Sequence, residues 1–218
     1  MLSIDLASVA SAGSRGAVVV RLLMAANDIL MANRTMSLYV DHETDVRQRQ
    51  AALKYLVRLQ CGHLSEGLKI IGEIRLDSEL HALLEKCKSW DRAAFHRLVA
   101  AQAAERKMLR DTVGNIRDKT GFHYDPDIVA SALAEAGVRK HGRMNYFALA
   151  TDPRKWRFGV ADDVMDVAVV KGIWGIPLDR DAPARAIEKE GWANDLCKEF
   201  VMFAGGFGYA FMRQHAAR

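Results

Sequence analysis

Apolar residues recur at three- and four-residue intervals along most of the chain, which is the period of one face of a helix. Val18, Leu22, Ala25, Ile29 and Met36 predict a first helix over about 17–39, with an apolar face broad enough for a central or interface position. After a polar break at 41–44, Leu53, Leu56, Val57, Gln60, Leu64, Leu68 and Ile71 predict a long second helix over about 45–74. Asp77 and Ser78 cap a short helix reaching about Lys88, and Ser89-Trp90-Asp91 starts another long one that runs to Thr120. Its buried side is marked by Phe95, Leu98, Val99, Gln102, Met108, Leu109, Val113 and Ile116. Further helices are predicted over about 127–136, ended by Gly137, over about 160–174, stopped by Pro177, and from Asp181 and Pro183 to about Gln214. The lead-in 1–14, rich in Ser and Ala, reads as loose chain. The pattern predicts an all-α bundle of about seven helices, with no sheet beyond a short pair near Tyr146.

Composition narrows the class. Half of the residues are hydrophobic, ample for one core in a single domain of 218 residues. Only four prolines and few β-branched runs agree with helix throughout. A net charge of +4 is compatible with nucleic acid or an anionic surface and selects neither. Cys61, Cys87 and Cys197 are widely spaced with no Cys-x-x-Cys, which argues against a zinc ribbon or thioredoxin-like chemistry and reads as reduced, cytoplasmic thiols. No basic region precedes the first apolar run and Arg21 interrupts it, so no signal peptide is expected. The apolar stretch 200–212 is too short to span a bilayer, and no membrane partner is expected.

Candidate chemistry concentrates at 116–125, Ile-Arg-Asp-Lys-Thr-Gly-Phe-His-Tyr-Asp. Gly121 suits the left-handed position past a helix end, with Phe122 folding back towards Ile116. Pro126 keeps the same helix from resuming, and Asp125 can cap a new one. Arg117 then sits in a last turn and His123 on the exit, and such a turn can aim both at one point. Arg offers a permanent forked charge that matches phosphate oxygens, and His exchanges protons near neutrality. Together they suit cleavage of a phosphodiester by a ribose 2′-hydroxyl, with no metal and no cofactor required. The basic segment 138–157 mixes Arg139, Lys140, His141, Arg143, Arg154, Lys155 and Arg157 with Tyr146, Phe147 and Trp156. It reads either as a single-stranded nucleic-acid surface or as a loop whose aromatics pack on the bundle. His63 and Glu66, three apart on the second helix, can form a polar pair, facing either the site or solvent.

Rival chemistries find less support. Asp162, Asp163 and Asp166 spell Asp-Asp-x-x-Asp but stand alone at a helix start, where the dipole favours acids. No Glu has a His three residues later, which removes a di-iron bundle. Gly205-Gly206-Phe207-Gly208 follows no strand and reads as small residues that let helices pack closely. No nucleophile elbow is present.

The stretch Arg117-Asp118…His123 resembles the signature of the HEPN superfamily: an Arg, then Asn, His or Asp, then a His after four to six residues. The helix ending in Arg-Asp, the Phe-His-Tyr-Asp exit, and Leu56-Val57-Arg58-Leu59 with His63-Leu64-Ser65-Glu66 extend the likeness over about 16–137, with a helical extension over 138–218. The resemblance implies an α-helical bundle and a metal-independent endoribonuclease, of the kind found in toxin and phage-defence systems. Arg117 is then expected to hold the scissile phosphate, His123 to transfer the proton and Asp118 to orient one of them. Lys119, Tyr124 and Arg110 are expected to bind substrate. It also implies RNA as substrate, an antitoxin-like protein as partner, and a homodimer with the site between two chains. Some members of the superfamily only bind a partner protein, nucleotide or RNA, and that alternative stays open.

Overall fold

The computed structural model describes residues 3–43, 45–121, 124–139, 147–148 and 157–216. Among them the chain is an all-α bundle. The helices are α1 (Leu6–Ser11), α2 (Ser14–His42), α3 (Val46–Leu76), α4 (Ser78–Leu84), α5 (Ser89–Ala104), α6 (Arg106–Leu109), α7 (Pro126–Arg139), α8 (Gly159–Val167) and α9 (Ala182–Gln214). Two wider π-helical stretches, Arg110–Gly114 and Arg117–Gly121, follow α6, and a third, Ala168–Ile173, follows α8. The only strands among the described residues are β1 (Phe147–Ala148) and β2 (Arg157–Phe158), an antiparallel pair beside Tyr146.

The expected helix faces are the buried ones. α2 buries Val19, Leu22, Ala25, Ala26, Ile29 and Ala32. α3 buries Leu56, Gln60, Leu64, Leu68 and Ile71. The two run antiparallel, since Arg21 meets Glu73, Asp28 meets His63 and Asn33 meets Gln60. α2 is long and apolar enough to cross a membrane by length and composition, with 39% of its apolar window buried. That buried share is the stripe that α3 and α9 cover.

α9 is part of the same core rather than an appendage to it. Phe200, Phe203 and Phe207 are fully buried, and Phe203 sits with its ring centre 5.1 Å from both Phe95 and Phe207. Small residues set the approach of the helices, as the glycine cluster led us to expect. A Cβ on Gly208 would lie 2.6 Å from Leu23 Cδ2, and one on Gly67 2.4 Å from Phe200 Cζ. Burial pushes the Cys87 thiol up to about 11 and the Cys197 thiol to about 12, and raises Cys61 as well. All three are free, buried and protonated at neutral pH, which makes them inert core residues.

Three expectations are corrected. The lead-in is not loose: Asp5 caps α1 by accepting from the Ala7 and Ser8 amides, and Ser8 Oγ lies 2.8 Å from His215 Nδ1. The Asp5 N–H donates to the His215 carbonyl at 3.0 Å, so both ends of the described chain are joined. The helix expected from Ser89 to Thr120 breaks at Glu105, whose carboxylate accepts the Trp192 indole N–H of α9 at 3.0 Å. Beyond it the chain resumes as α6 and then widens into two π-helical stretches, the second ending at Gly121.

Candidate functional site

Arg117 opens the second π-helical stretch and is half-buried. Its Nε lies 2.6 Å from Glu66 Oε1 on α3, an ion pair whose N–H direction does not meet hydrogen-bond geometry. Its Nη1 donates to Asp118 Oδ1 at 2.6 Å. Glu66 also receives Lys69 Nζ at 2.8 Å. Arg117 is therefore held from two sides by carboxylates. Asp118 thus stands beside Arg117 as a paired acid. Gly121 closes the π-helical stretch instead of standing past a helix end, while Asp125 caps the next helix as the sequence implies. The Asp125 N–H reaches back to the Lys119 carbonyl, and Asp125 Oδ1 accepts from the Asp127 and Ile128 amides at 3.0 and 3.2 Å to cap α7.

The other expected site residues fall around this turn. Tyr124 is exposed on the exit and Lys119 is half-buried. Arg110 stands in the preceding π-helical stretch, exposed and paired with Asp111 at 3.2 Å. Phe122, His123 and most of the basic segment 138–157 lie outside the described residues. His63 Nδ1 lies 3.4 Å from Asp28 Oδ2, while Glu66 is engaged by Arg117 and Lys69.

A second feature, beside the turn, was not anticipated from the sequence as a site. A cavity of about 910 Å³ opens between α3, α8, the third π-helical stretch and the first half of α9, with Ile116 in its wall. Its polar wall carries Lys54, Arg58, Asp162, Asp166 and Glu190. Lys54 pairs with Asp166, and Asp162 and Asp166 both act on Arg58 through space. The acidic triplet of α8 thus supplies two of its members to this wall. Among the described residues no three His, Cys, Asp or Glu side chains form a group able to hold a metal ion.

Burial sets the electrostatics of that wall. It raises Asp166 above the ordinary carboxylate range, against the pull of Lys54, and raises Glu190, with Lys54 opposing and Asp166 adding to the rise. It also lowers the Arg58 guanidinium from its usual value. Both carboxyls bind a proton more tightly in the folded chain than in the unfolded one. Their contribution to stability is complete below the ordinary carboxylate range and is lost as pH rises through the raised folded values. Glu190→Gln is therefore expected to be most stabilising relative to wild type near neutral pH, with the gap closing on acidification. Melting temperatures at about pH 7 and about pH 5 check this. A gap that widens as pH falls contradicts it.

Comparison with models of protein families, with curated proteins and with solved structures finds no match.

Proposed function

We propose that the protein is a HEPN-like, metal-independent endoribonuclease acting at the turn after Arg117. The observation that carries this reading is the fixed, half-exposed Arg117 guanidinium, braced by Glu66 and Asp118 at the start of the second π-helical stretch, which packs on α3. π-helical turns within α-helices occur frequently at functional sites. A guanidinium held before substrate arrives loses less freedom on meeting a phosphate, which is how positioned charges lower a barrier. In this reading Arg117 grips the scissile phosphate and His123 transfers the proton between the 2′-hydroxyl and the leaving 5′-oxygen. Asp118 orients Arg117, and Tyr124, Lys119 and Arg110 hold neighbouring nucleotides.

In-line attack needs a base on one side and an acid on the other, and the motif holds one His per chain. The reading therefore includes a two-fold dimer, in which a second motif faces the first. Met24, Met31 and Leu38 form an exposed seven-residue repeat on α2, and Met202 and Tyr209 are exposed on α9. These faces supply apolar surface that such a dimer can bury.

The test is cleavage of RNA by purified protein in excess EDTA, with end-group analysis of the products. We expect 2′,3′-cyclic phosphate ends. His123→Ala is expected to abolish cleavage with little change in melting temperature. A variant that cuts as fast as wild type removes the assignment.

A second reading, a non-catalytic helical module that binds a small ligand, is favoured by one observation, the cavity beside Arg58. Wild-type protein that cleaves no RNA in any buffer leaves that reading in place.

A further inference from the structure

Arg58 is anomalous. It stands in the wall of a largely apolar cavity, and its Nη1 is buried without a hydrogen-bond partner. Among the described residues it makes no ion pair; Tyr124, Asp166 and Asp162 act on it through space, and its Cζ lies 5.9 Å from the ring centre of Tyr55. Lys54, the neighbouring cation, is already engaged by Asp166. A buried guanidinium nitrogen without a hydrogen-bond partner is costly, and a ligand that accepts from it removes that cost. The cavity is in the size range of small-molecule sites, which join apolar walls to a few placed polar groups.

We propose that this cavity binds a small amphipathic monocarboxylate. The Arg58 fork takes the carboxylate, and Val57, Ile116, Trp174 and Ile187 enclose the apolar body. Guanidinium and carboxylate match in geometry, each pairing two donors with two acceptors. Asp162 and Asp166 share the wall with Arg58 and oppose any second negative charge on the ligand, so a single charge is preferred to the double charge of a phosphate monoester. Tyr124 of the neighbouring turn acts on Arg58 and Ile116 lines the cavity, so the cavity adjoins the Arg117 turn, but decanoate binding is read without RNA cleavage.

Calorimetric titration of the full chain with decanoate, below its micelle concentration, tests the proposal, with decanol and decyl phosphate as comparison probes. Saturable decanoate binding is expected, tighter than that of either comparison. Arg58→Met should weaken it about tenfold or more, the usual scale for losing a hydrogen-bonded charge pair. The same variant should melt at a higher temperature than unliganded wild type, because it removes a buried guanidinium nitrogen that has no hydrogen-bond partner. Ala186→Phe, which fills the cavity, should also abolish binding. The proposal is overturned if wild type does not bind decanoate, if decanol or decyl phosphate binds as tightly, or if either variant binds decanoate undiminished. Should the methionine variant not fold, Arg58→Lys keeps the charge and loses the fork, and an unchanged affinity in it overturns the proposal equally.

Discussion

Phe200→Ala is expected to cost about 3–5 kcal/mol of stability, the range for emptying a buried aromatic site. Phe200 is fully buried on α9, and its ring tip lies against the bare Cα of Gly67 on α3. The surrounding helices are long and fixed by contacts along their whole lengths, so the space left by the ring cannot close. Gly67→Ala creates the opposite fault. A Cβ placed 2.4 Å from Phe200 Cζ forces ring or helix to move, for about 1–3 kcal/mol. The two changes touch the same atoms and should not add. In the double variant the new methyl enters the space the ring vacated, so the combined loss should fall below the sum of the single losses. Urea unfolding of the three variants measures this. Strict additivity means that Gly67 and Phe200 do not share that space.

Arg117→Lys should slow RNA cleavage by about 10²–10³-fold, the scale for losing one well-placed donor to a developing charge. Lysine keeps the charge but loses the planar fork, and it cannot meet Glu66 and Asp118 with two different nitrogens in the same way. Glu66→Gln should have a smaller effect in the same direction, since it removes one brace while Asp118 remains. Stability should barely move in either variant. Both partners of these pairs are partly exposed, and such pairs contribute about 0–1 kcal/mol. Initial rates on a single-stranded RNA, with melting temperatures alongside, separate the two effects. A lysine variant with wild-type rate shows that the fork is not used. A large fall in melting temperature shows that Arg117 is there for the fold.

Much of the fold is legible in the sequence because helix periodicity reports burial directly. Leu22, Ile29, Leu64, Leu68 and Ile71 are core residues for the reason their spacing gives. The short strand pair, the Asp125 cap and the close approach at the glycines of α9 were legible for local reasons too. What escaped was set by non-local contacts. The break at Glu105, where Trp192 from far along the chain docks, and the widening of the helix after it have no spacing signature. The cap at Asp5 was legible in principle, as an acid ahead of a short apolar run, but its weight comes from His215.

The candidate site divides in the same way. The Arg117 pairing with Asp118 is between neighbours and could be foreseen, whereas Glu66 joins it across a helix boundary. The cavity wall draws on Lys54, Arg58, Asp166 and Glu190, four residues from three helices that no local pattern connects. In the sequence the acidic triplet of α8 reads only as acids at a helix start; two of its members take their setting from Lys54 and Arg58.

The join between the two ends of the chain bears on the order of assembly. Asp5 and His215 are some two hundred residues apart, and closing a flexible loop of that length costs about 5 kcal/mol of chain entropy. Two hydrogen bonds cannot offset that cost unaided. The clasp must therefore close after α2, α5 and α9 have docked and brought its halves within reach. In kinetic terms it belongs to the late, native side of the folding barrier. Weakening it at Ser8 or His215 should hasten unfolding and leave the folding rate almost untouched.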